Sequence, residues 1–88
     1  MKNTVIKIND LEERLVIVYN VGLFCIRSNA CSINRIQTEF NYGFNRAYNA
    51  VSILEALGLV SEAKPKEARK ILMTERQFLE IIRSKIDE

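Results

Sequence analysis

Ser32–Gly58, SINRIQTEFNYGFNRAYNAVSILEALG, is the stretch on which the fold turns. Ser32 has the side chain of an N-cap, able to accept from a free amide of the turn that follows. Ile33, Ile36 and Phe40 then fall on one side of a short helix. Asn41-Tyr42-Gly43 interrupts it, and Gly43 is expected to supply a positive φ or a sharp bend. A longer helix follows from about Phe44 to Leu57. Its inward set is Ala47, Ala50, Val51, Leu54 and Leu57, with Gly58 as its C-terminal stop. Two helices joined by a three- or four-residue turn containing glycine give a helix-turn-helix outline over about 32–57.

The flanks extend that outline. Downstream, Leu59-Val60 and Arg69–Met73 are short extended runs around the turn SEAKPKE. They predict a two-stranded wing over about 59–73. Thr74 with Gln77 reads as a capping box opening a last helix over about 75–87, in which Phe78, Leu79, Ile81, Ile82 and Ile86 are apolar. That stripe is wide enough either to pack on the first helix or to bury part of a partner, for instance in a homodimer. Upstream, Thr4–Ile8 is too short to classify and reads as a brief strand or an extended arm. Asn9 and Glu12 form a second capping box, and Leu11, Leu15, Val16, Val18 and Tyr19 build a helical stripe expected to end near Gly22. The segment LFCIRSNA after it leans towards a short strand. The fold class expected is mainly α with a small β-wing: a winged helix-turn-helix with an extra C-terminal helix, one domain over residues 1–88.

Composition narrows the function. Eighty-eight residues allow one small core. No apolar run approaches the roughly 20 residues of a membrane span, and the opening MKNTVIKIND lacks the apolar block of a secretory signal, so a cytoplasmic location is expected. There is no histidine and there are two cysteines, Cys25 and Cys31. A zinc site would need two more ligands, and His-based nucleophile activation has no base, so neither metal nor cofactor is expected. Both cysteines read as buried reduced thiols. An enzyme is disfavoured because no acid, base and nucleophile set can be assembled.

Binding is the chemistry left. The formal charge is only +2, yet Lys64–Lys70, KPKEARK, carries four cations against Glu67, a local net of +3. On the second helix of the pair, Asn45, Arg46, Asn49, Ser52 and Ile53 fall opposite the apolar set. Arg donates bidentately to guanine O6 and N7 and Asn pairs with adenine N6 and N7, so Asn45, Arg46 and Asn49 in the opening turns are the candidate base readers. Asn34, Gln37, Tyr48, Lys64, Lys66, Arg69 and Lys70 are candidates for the DNA backbone. Phe40, Tyr42 and Phe44 are expected to pack the turn.

These residues resemble a family. The run from Ser32 to Ala47, then Leu54–Val60 and the KPKEARKILM segment, is similar to the C-terminal gamma domain of FtsK/SpoIIIE DNA translocases over roughly residues 30–73. That family carries a Gly-Tyr-Asn-Arg-Ala core, a Leu-Glu-x-x-Gly-Ile-Val helix end and a Lys-Pro-Arg-Glu-Val-Leu wing strand. The resemblance implies a winged helix that recognises short G-rich DNA motifs, orients a motor and, in some members, contacts the Xer recombinase. It places the family's base-reading Asn and Arg on Asn45 and Arg46. The family's second arginine falls on Asn49, which predicts a different target sequence, and its paired arginines after the Gln become Thr38 and Glu39, which removes two phosphate-facing cations. No GxxxxGK[ST] loop is present, so the chain is expected not to be a motor, whether it is a free-standing relative or an excised piece. The expected activity is sequence-selective binding of double-stranded DNA, with a recombinase or motor protein as a further partner. The alternative is a protein-interaction or dimerisation module that has lost specific DNA binding.

Overall fold

The computed structural model describes the backbone of residues 2–86 and the side chains of residues 13–85. Four helices follow in order: α1 (Lys2–Ser28), α2 (Ile33–Phe40), α3 (Phe44–Ala56) and α4 (Glu75–Ile86). α1 packs on α3 and α4, and α2 packs on α3. Among the described residues there is no strand, and no single helix is long and apolar enough to cross a membrane.

α1 is longer than its sequence suggests. The backbone of residues 4–8, expected as a strand or arm, is helical, and so is LFCIRSNA up to Ser28. The cap expected of Asn9 and Glu12 concerns side chains outside the described residues, as do Leu11 and Ile86. Gly22 does not end the helix. Val18, Val21 and Cys25 continue the i, i+3, i+7 stripe straight past it, and all three are buried. Burial of that stripe outweighs the strand preference of its β-branched residues. Gly22 has a packing role instead: a Cβ there would lie 2.3 Å from Cζ of Phe78, the fully buried aromatic of α4. Val16, expected in the stripe, points outward and is 56% exposed.

The helix ends are specified locally. α1 closes with Asn29 in the left-handed region (φ 53°), with the Asn29 amide donating to Ile26 and the Ala30 amide to Cys25. α3 closes the same way at Gly58 (φ 85°), with Gly58 donating to Glu55 and Leu59 to Leu54. In both, amides past the helix satisfy carbonyls that would otherwise be unpaired. Ser32 caps α2 as expected, accepting from the Arg35 amide at 3.4 Å. Thr74 and Gln77 cap α4 reciprocally, at 2.9 and 3.2 Å.

In the α2–α3 turn the positive φ belongs to Asn41 (φ 56°), not to Gly43. Gly43 is the N-cap of α3 in ordinary extended geometry, with nothing near where a Cβ would sit. Phe40 stacks on Tyr42 and meets Phe24 edge-on, so those two rings do build the turn. Phe44 does not: it is 56% exposed and stacks on Tyr48, also exposed.

The expected wing is reduced to two isolated antiparallel bridges, Val60 with Ile71 and Lys64 with Glu67. Ser61 and Lys70 extend the first through a backbone bond and a bond from the Lys70 amide to the Ser61 hydroxyl. Beyond them Pro65 has no amide to donate, and Lys66 takes the left-handed conformation at the tip (φ 63°). Leu59 and Val60 enter the core with Ile36, Leu54, Phe78 and Ile82.

Candidate nucleic-acid interface

The site is built on α3. Its residues advance about 100° each, so burying Ala47, Ala50, Val51 and Leu54 turns Asn45, Asn49 and Ser52 directly away from the core. All three are exposed. Arg46 and Ile53 lie on one flank, against α1, while Phe44, Tyr48 and Glu55 occupy the other. The outer surface of α3 therefore presents two amides and a hydroxyl between a guanidinium and a stacked aromatic pair.

Arg46 is engaged within the chain. One of its terminal nitrogens lies 3.6 Å from Oε1 of Glu13 on α1, and its guanidinium carbon is 5.3 Å from the centroid of the Tyr42 ring. Both partners of the ion pair remain more than half exposed. Glu13, Arg14 and Ile17 of α1 and Arg46, Asn49 and Ile53 of α3 line an open groove between the two helices.

The basic loop is tied to the C-terminal half of α3. Arg69, a candidate phosphate contact on sequence grounds, donates to the Glu55 carboxylate and, at 2.8 Å, to the Ser61 carbonyl, leaving its side chain 15% exposed. Its charge is thereby directed to holding the loop. Lys64, Lys66 and Lys70 are exposed. On α2, Asn34 is exposed and its carbonyl accepts from the Thr38 hydroxyl, whereas Gln37 is half-buried and its carbonyl ends the helix by accepting from Tyr42.

The structure thus brings Asn45, Arg46 and Asn49 onto one helix surface and leaves the loop lysines exposed. Two features escaped sequence reading. The Phe44–Tyr48 pair was available from its i, i+4 spacing. Glu13 carried no signal, because 33 positions separate it from Arg46.

The two cysteines are free. Cys25 is buried as expected, while Cys31 is only half-buried. The Cys25 thiol donates to the Cys31 sulfur, and this bond, with burial and the nearby Cys31 charge, drives the Cys25 pKa far upward. The same bond, helped by Arg69 and opposed by burial, lowers that of Cys31. Among the described residues no three His, Cys, Asp or Glu side chains converge as a metal site.

The model of the FtsK gamma domain family matches residues 16–74. That range reaches further back than the resemblance in the middle of the chain, taking in the second half of α1, and it stops just before α4. The DNA translocase SftA of Bacillus subtilis (strain 168) is 34% identical over 64 residues, which are 73% of this chain and 7% of that relative. The chain therefore spans a small fraction of the length of this curated relative.

Proposed function

This chain belongs to the FtsK gamma domain family, and from that membership we propose that it is a sequence-selective double-stranded DNA-binding module of winged-helix type. In this reading α3 enters the major groove and the 61–70 loop, acting as the wing, lies along the backbone. The observation that carries it is the outer surface of α3, where Asn45, Asn49 and Arg46 are exposed while Ala47, Ala50, Val51 and Leu54 are buried. A rigid helix buried on one side can aim amides and a guanidinium at base edges, each bidentate pair discriminating by about 1–3 kcal/mol. Phosphate contacts fall to Lys64, Lys66 and Lys70, with Tyr48, Asn34 and Gln37 supporting, and Arg69 positions the loop. Because Asn49 stands where the resembling family has its second arginine, the preferred sequence differs from the family's. The motor activity named for the relative would come from a separate polypeptide or region, with this module acting in the cytoplasm.

Selection of bound duplexes from a random pool tests the proposal. A recurring motif is expected, with Arg46→Ala losing roughly 1–3 kcal/mol on it. The absence of a motif together with unchanged binding by Arg46→Ala would sink the idea.

A second reading, a protein-contacting or dimerising module, is favoured by one observation: Leu79 on α4 and Leu72 before it are 39% and 56% exposed. Sedimentation of the chain tests it, and a strict monomer across the micromolar range would remove dimerisation through α4.

A further inference from the structure

Arg46 is the strongest hydrogen-bond donor on α3, and it does not stand free. Its guanidinium sits 3.6 Å from the Glu13 carboxylate and above the Tyr42 ring, with side-chain exposures of 52% for Arg46 and 57% for Glu13. Glu13 precedes the residues matched by the family model, 16–74, so this partner is supplied by the N-terminal half of α1 and not by the matched segment.

We propose that Glu13 is an internal competitor for Arg46 that holds back DNA binding through that residue; the proposal rests on the reading that α3 meets DNA. An ion pair this exposed is weak, so a better acceptor displaces it readily. A guanine edge is such an acceptor, because it takes two parallel N–H bonds from one guanidinium. A contact of smaller return leaves Arg46 on Glu13, so the cost of release falls on the duplexes that engage the guanidinium. The Tyr42 ring holds the guanidinium plane while it changes partners. Glu13 is thus a positioning residue, acting on DNA through Arg46.

A double-mutant cycle on the full chain tests this. Wild type, Glu13→Gln, Arg46→Ala and the double variant are titrated with the duplex selected from the random pool and with a scrambled duplex, at one fixed salt concentration. Glu13→Gln is expected to tighten the selected duplex by about two- to fivefold and the scrambled duplex by less. In the Arg46→Ala background the same change is expected to do nothing. Equal tightening on both duplexes, or tightening that persists without Arg46, would show a general charge effect and overturn the proposal. If Arg46→Ala weakens the selected duplex and Glu13→Gln changes neither, the proposal fails while the DNA-binding reading stands. If Arg46→Ala changes nothing and no motif is selected, both fall together. Because both side chains are exposed, the melting temperature of Glu13→Gln should match wild type, which keeps folding out of the comparison.

Discussion

Gly22 shows most directly how one residue sets the packing of α1 on α4. An alanine there would improve helix propensity by about 0.5–1 kcal/mol. Its methyl group would, however, overlap the Phe78 ring at 2.3 and 2.6 Å, and that ring is fully buried and stacked on Tyr19. Overpacking of this kind costs about 1–3 kcal/mol and outweighs that gain, so Gly22→Ala is expected to destabilise the fold by a net of up to about 2.5 kcal/mol and to lower Tm. Lys66 makes the opposite case. At φ 63° its side chain strains the loop tip, so Lys66→Gly should leave thermal stability equal or slightly higher. The same change should weaken all DNA sequences alike and reduce the salt slope by about 0.9 if Lys66 holds a phosphate. A third prediction concerns reactivity. With the Cys25 thiol donating to it and Arg69 nearby, Cys31 is held below the ordinary thiol range. Alkylation in the native state should modify Cys31 first, with a pH profile shifted below that of the unfolded chain's thiols, and should spare Cys25 until unfolding.

Between elements, the contact most open to measurement joins the end of α1 to the start of α4. Arg27 donates to both oxygens of Glu75, from Nε at 3.0 Å and from a terminal nitrogen at 3.3 Å. Those bonds hold the Glu75 carboxyl below its usual pKa against the opposing effect of desolvation. A depressed folded pKa means that the stabilisation is present above the unfolded value of about 4.3 and is lost as pH falls through the lower folded value. The difference in Tm between wild type and Glu75→Gln should therefore be constant near neutrality and shrink as pH is taken from about 5 towards 3. High salt should shrink it as well, because the pair is exposed. The ends of the helices were largely legible because their signals are local: Ser32, Gly58 and the Thr74–Gln77 box act within five residues of themselves. The length of α1 was not, because Gly22 and a β-branched run look like a stop until Phe78 is seen filling the space that Gly22 leaves.

Across the whole molecule, most of the arrangement follows from which helix surfaces are apolar. The helical repeat of Ala47, Ala50, Val51 and Leu54 already turned Asn45 and Asn49 outward, and the sequence by itself determined that much of the candidate site, along with the α2–α3 pair, its signals at Ser32 and Gly58 and the basic composition of the 64–70 loop. These depend on periodicity and on neighbours a few residues apart, which a linear chain displays directly. Tertiary structure alone decided the rest. It spent Arg69 on Glu55 and Ser61, reduced the expected strands to two bridges, and set Glu13 against Arg46. Each of these joins groups whose meeting depends on how α1, α3 and the loop dock, and a charge or ring carries no mark in the sequence of the partner that docking will bring to it.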